Sequence, residues 1–133
     1  MSTRAQIRFA TREDGVTFSE HPKKWNAQFY RHSDGYPEGL GVDIAESIIH
    51  NYHIDHVEIE HVQVMHGDLD YIYYIWSDYD KDTWISIFKV IPFEDKIGEC
   101  IFVGKPNKLI AKYGSQLEES YYKLNMSDDK ERD

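Results

Sequence analysis

Phe29-Tyr30-Arg31-His32-Ser33-Asp34-Gly35-Tyr36-Pro37-Glu38-Gly39-Leu40-Gly41 carries the chain out of a strand, through a tight turn and into a helix. Trp25 to Arg31 alternates with the period of a strand. Asp34-Gly35 is a turn signal, and Pro37 suits a first helical position, where its missing N–H costs nothing. Beyond it Leu40, Ile44 and Ile48, flanked by Ala45, Ile49 and Tyr52, form an apolar stripe at helical spacing that ends near Asn51. Strand-like segments lie on both sides of this helix, so the segment sets the chain in the α+β class.

Upstream, Ala5 to Thr11 alternates. Ala5, Ile7 and Phe9 share one face and Arg4, Gln6 and Arg8 the other, the pattern of a half-exposed strand. Glu13-Asp14-Gly15 supplies a hairpin turn before Val16-Thr17-Phe18. Downstream, Val57 to Val64 reads as a strand with Glu58 and Glu60 toward solvent. Tyr71 to Trp76, Trp84 to Ile91 and Glu99 to Val103 are rich in the residues that suit a pleated surface. A final amphipathic helix runs from Pro106 to about Asn125. The order β-β-β-α-β-β-β-β-α predicts an antiparallel sheet of about six or seven strands with two helices packed on one face. Residues 1–126 form this single α+β domain, and 127–133 an acidic flexible tail.

The two aromatic strands Tyr71 to Trp76 and Trp84 to Phe88 are apolar on both faces. Helices cover one face. A loop, a second subunit or a ligand must cover the other; a subunit interface is the leading account, which makes the chain a homo-oligomer.

With 133 residues, 41% apolar, the chain is long enough to bury one core. No apolar run approaches the roughly 20 residues that span a bilayer, and the first residues lack the hydrophobic region of a signal peptide. A cytoplasmic protein with no membrane contact is expected. The net charge of −9 argues against direct nucleic-acid binding, which needs a basic face. A lone cysteine, Cys100, excludes an internal disulfide and a cysteine-rich zinc site; it falls in an apolar run and reads as core.

The chemistry concentrates in the opening segment. Arg31 can pair a phosphate or carboxylate, while N–H groups at the helix start add donors. Tyr30 or Tyr36 can stack on an aromatic ring, and Asp34 can hold a ribose or stabilise the turn. Arg4 adds a second phosphate contact from an arginine-rich first quarter. The expected ligand-binding residues are therefore Arg4, Tyr30, Arg31, His32, Asp34, Gly35 and Tyr36. A structural account competes with this one, because the same residues make a sound strand-to-helix turn. His50, His53, His56, His61 and His66 fall within seventeen residues, and the His53–His56 spacing would suit a metal on a helix, but Asp55-His56-Val57 reads as a loop entering a strand, with no cysteine and no His-Glu-x-x-His pattern. Asp78, Asp80 and Asp82 begin like a calcium loop, but Thr83 stands where glycine is needed and Lys89 where the bidentate glutamate is needed. No Walker loop, dinucleotide fingerprint or nucleophile elbow occurs, so no catalytic residue, metal ligand or cofactor is assigned.

Ser2-Thr3-Arg4-Ala5-Gln6-Ile7 and the Arg31-His32-Ser33-Asp34-Gly35-Tyr36-Pro37-Glu38-Gly39 core together resemble a set of small uncharacterised bacterial and phage proteins. The resemblance covers the first third of the chain. It implies a prokaryotic or phage setting and a counter-defence role. The expectation is a non-enzymatic protein that sequesters a small anionic, nucleotide-type signal. Two alternatives stand beside it: an inhibitor binding a host protein through an acidic or aromatic surface, and a small hydrolase using His32 and Asp34.

Overall fold

The computed structural model describes residues 2–10, 20–51, 53–91, 94 and 96–114. The expected Val16–Phe18 strand, the last helix beyond Gly114 and the acidic tail lie outside these residues. The described elements are β1 (Ala5–Phe9), β2 (Ala27–Arg31), α1 (Val42–His50), β3 (Glu58–Glu60), β4 (Tyr71–Ser77), β5 (Thr83–Ile91), β6 (Lys96–Gly104) and α2 (Pro106–Leu109). A π-helical turn, Pro37–Gly41, leads into α1, and another, Ile110–Gly114, continues α2.

The six strands form one sheet in the order β3-β2-β1-β4-β5-β6, and the fold is α+β as the sequence predicts. The expected antiparallel arrangement holds for every neighbouring pair but one: β1 and β4 run parallel, Ala5 opposite Tyr71 and Phe9 opposite Ile75. The reason is topological. The chain lays β2 and β3 on one side of β1 and must then return across the sheet to pair β4 on the other side. A parallel neighbour requires such a crossover. The strand expected over Val57–Val64 accordingly stops at Glu60, and the following residues form the crossing loop.

Helices α1 and α2 pack on one face. Ile7, Tyr73, Ile75, Ile85, Ile87 and Phe102 of the sheet meet Leu40, Ile44, Ala45, Leu109 and Tyr113 there. The Tyr73 hydroxyl, fully buried, donates to the Gly35 carbonyl at 2.6 Å and pins the strand-to-helix turn to the centre of the sheet. Asn51 ends α1 in the left-handed region, φ 59°, a role asparagine fills well.

The second face corrects an expectation. Ile72, Tyr74, Trp76 and Phe88 are buried within the single chain, so no second subunit is needed to shelter them. Trp25, His21 and Leu69 from the segments before β2 and β4 lie against them. Cys100 is partly buried at the edge of this cluster, where desolvation pushes its thiol pKa up. Among the described residues no helix is long and apolar enough to cross a membrane.

The aspartate-rich turn between β4 and β5 is built by Asp78. Its Oδ1 accepts from the backbone N–H groups of Asp80 and Asp82, each at 2.9 Å, and its Oδ2 from the Trp84 indole at 2.8 Å. The indole bond, with the backbone N–H groups behind it, holds the carboxyl below its ordinary pKa. A group whose pKa is depressed by folding stabilises the native state above its unfolded pKa and loses that contribution as pH falls through the folded one. Wild type is therefore expected to melt above Asp78→Ala at neutral pH. The gap should close as pH drops below the ordinary carboxylate range, which paired thermal melts across that range would read.

Candidate functional site

The segment His61 to Asp70 joins the edge strand β3 to the central strand β4 by crossing over β2 and β1. A loop lying on a sheet removes its own carbonyls from water, and each then needs a donor. Gln6 and Gln28 supply them. Gln6 Nε2 donates to the Val64 carbonyl at 2.9 Å; Gln28 Nε2 donates to the His61 and Val64 carbonyls at 3.2 and 2.9 Å. Both amides also donate to Glu60 Oε2, at 2.9 and 2.6 Å, and His66 Nε2 lies 2.8 Å from Glu60 Oε1. Gln28 Oε1 accepts from the Trp25 indole at 2.9 Å. The polar side of β1, read from the sequence as the exposed half of the strand, is thus buried under the loop together with Gln28 of β2. Glu60, also assigned to solvent, is only 13% exposed.

Arg8 completes the row and is 2% exposed. Its Nη1 donates to the Tyr74 hydroxyl at 2.7 Å, and its Nη2 to Gln6 Oε1 at 2.7 Å and to Met65 Sδ at 3.4 Å. The guanidinium lies 3.9 Å from the centroid of Trp25, a cation–π contact. Its Nε is buried without a hydrogen-bond partner, and no carboxylate forms an ion pair with Arg8 among the described residues. Desolvation lowers the Arg8 pKa from its ordinary value, with Tyr74 and the more distant Glu60 opposing it. The same burial raises the Tyr74 hydroxyl, against the pull of Arg8. The guanidinium stays cationic throughout.

Arg8 lines a cleft of about 570 Å³ whose other walls are Lys23 to Asn26 and Val62 to Met65. Among the described lining residues three are cations and none is a carboxylate, in a chain of net charge −9. Among the described lining residues none carries a hydroxyl, thiol or imidazole. Its chemistry is that of holding an electron-rich group.

The residues expected to bind a ligand fall into two groups on opposite faces of the sheet. On the helix face, Arg31 is already engaged. Its Nε donates to the Ser33 carbonyl at 3.0 Å and its Nη1 meets Asp43 Oδ2 at 3.2 Å. The cavity beside it, about 230 Å³, also contains Asp43 and Asp55, so its cation is balanced. The helix-start donors are engaged too: Gly39 N–H donates to the Tyr36 carbonyl and Leu40 N–H to the Asp34 carbonyl. Gly35 is held by its N–H to the Thr3 carbonyl at 3.0 Å, Asp34 takes a positive φ of 55°, and the Tyr36 hydroxyl reaches Asp34 at 3.5 Å. On the loop face, Arg4 pairs with Asp68 at 3.1 Å, and Tyr30 stacks on His66 with centroids 3.8 Å apart. Burial raises the Tyr30 hydroxyl pKa, helped by Asp68 and opposed by Arg4. His32 and Asp34 are both exposed, and among the described residues no hydrogen bond joins them as a base and its orienting acid would require. No group of histidines and carboxylates there could hold a metal ion.

Arg8, Gln6 and Gln28 escape a sequence reading because polar alternation on a strand looks the same under a loop as under water. The signal that separates them is residue type. Two glutamines carry matched donors and acceptors suited to a buried backbone, where lysines or glutamates would mark a wet face. No protein-family model, curated protein or solved structure matches the chain.

Proposed function

We propose that the protein is a non-enzymatic binder of a small anionic ligand, held in the cleft at Arg8. One observation carries this reading: a guanidinium at 2% exposure with an unpartnered N–H, in a cleft whose other charges among the described residues are Lys23 and Lys24. A buried donor left unpaired costs about 1–3 kcal/mol, which a ligand acceptor recovers. The lysines, both exposed, give the ligand's charge a solvated seat. Sequestration of a nucleotide-type signal in a phage counter-defence setting is the role we attach to this binding, on the resemblance of the Ser2–Ile7 and Arg31–Gly39 segments. A host-protein inhibitor keeps only the acidic half of its acidic or aromatic surface, because Ile72, Tyr74, Trp76 and Phe88 are buried.

Calorimetric titration against nucleoside mono-, di- and cyclic phosphates tests the reading. Lys23→Gln/Lys24→Gln, a pair of surface changes, is expected to weaken binding about tenfold at low salt and less at high salt. Affinity lost on Arg31→Met but unmoved by the lysine pair would return the site to the strand-to-helix turn. No binding by any member of the series would remove the reading altogether.

A further inference from the structure

We infer that the cleft at Arg8 takes a guanine nucleotide with its base inward and its phosphate at the rim. This rests on the anion-binding reading and deepens it. The cations of the cleft are not equivalent. Lys23 and Lys24 are exposed, whereas Arg8 is buried with Nη1 committed to Tyr74 and Nη2 to Gln6. Nε is the one Arg8 nitrogen with no hydrogen-bond partner at all. Nη2 shares an edge of the guanidinium with Nε, and beside its bond to Gln6 it meets the Met65 thioether at 3.4 Å, a weak acceptor that a stronger one displaces.

A phosphate does not suit that position. It brings up to two charges and three acceptor oxygens into a place where one guanidinium nitrogen lacks a partner, beside the rings of Trp25 and Tyr74. Desolvating such a dianion for so few bonds is unfavourable. At the lysine rim the same phosphate keeps its water and meets two ammonium groups. The inner end wants a planar group with two adjacent acceptors and no net charge. The O6/N7 edge of guanine has that pattern, and it matches the side-on N–H pair of an arginine. Adenine places an amine donor where guanine has O6, and that amine would face the cation. Charge balance agrees with a neutral base. Gln6 accepts from Arg8 and donates to Glu60, so the guanidinium is already coupled to a carboxylate behind it. The walls beside this position, Val62, Val64 and Met65, are apolar and suit a base plane. The volume of about 570 Å³ lies in the range of small-ligand sites.

Titration of the full chain with GMP, IMP, AMP and guanosine separates the outcomes. GMP and IMP, which share O6 and N7, are expected to bind about tenfold or more tightly than AMP. Guanosine should bind more weakly than GMP, and its affinity should be indifferent to salt. Arg8→Lys keeps the charge but loses the paired N–H edge, and should erase the preference for GMP over AMP. Near-UV circular dichroism checks that this variant folds. If it does not, Lys23→Gln/Lys24→Gln supplies the second reading: GMP should weaken while guanosine does not. Equal affinity for AMP and GMP would overturn the base-inward assignment and leave an anion site standing. No binding by any of the phosphates would overturn both.

Discussion

Glu60→Ala is expected to destabilise the fold by about 3 kcal/mol, while Glu60→Gln costs about 1 kcal/mol. The carboxylate is the hub on which three elements meet. It accepts from Gln6 on β1 and Gln28 on β2, and it lies against His66 of the crossing loop. Truncation leaves one N–H of the fully buried Gln6 amide without a partner and removes the nearest of the three acceptors around Gln28 Nε2, and a buried orphan costs about 1–3 kcal/mol. The crossing loop loses its tie to the sheet at the same time, because the glutamines that bond its His61 and Val64 carbonyls are the ones set adrift. Glutamine at the same position can still present an oxygen to both amides and forfeits mainly the charge. Urea midpoints of the three proteins give the comparison. Trp25, tied to Gln28, adds a local reporter whose emission should move to longer wavelength before the global transition in Glu60→Ala. A stability within about 0.5 kcal/mol of wild type for Glu60→Ala would mean that water replaces the network without cost.

The elements legible from the sequence are those whose apolar pattern is complete within the segment itself. Helix α1 announces itself through Leu40, Ile44 and Ile48, and β4 and β5 through unbroken aromatic and β-branched runs. The parallel pairing of β1 with β4 was not legible, because strand polarity depends on where the connections go and not on alternation within either strand. The buried polar row was hidden for a related reason. Alternation reports which residues differ from their neighbours, and burial is decided by a loop some fifty residues away in the chain, on the order of the separations that only the fold closes. Arg31 drew notice for its setting, yet its donors are spent on Ser33 and Asp43. Arg8 sits in plain alternation and keeps a donor free. Conspicuous polar residues at turns are often there to make the turn, and the candidate for function is the group whose bonding is incomplete.

Gly35→Ala tests that distinction where the sequence first pointed, and is expected to cost about 2–3 kcal/mol. A Cβ on Gly35 would stand 2.8 Å from the Ala5 Cβ and 3.0 Å from the Thr3 carbonyl oxygen. Neither can swing away, since both belong to the backbone entering β1 or lie directly on it. The intruding methyl would push the turn off that strand and strain two bonds at once: Gly35 N–H to the Thr3 carbonyl, and the Tyr73 hydroxyl to the Gly35 carbonyl. Gly41, six positions along the same segment by residue number, makes the contrast. Its added Cβ would meet the Tyr73 ring at 3.4 Å, an ordinary contact, in helical backbone where alanine gains up to about 1 kcal/mol over glycine. Gly41→Ala should therefore be neutral or slightly stabilising by urea melt. If Gly35 holds a ligand, its replacement must change affinity in a protein that still folds. If it holds the turn, as its contacts indicate, stability falls, and the binding measured in the fraction that remains folded is unchanged.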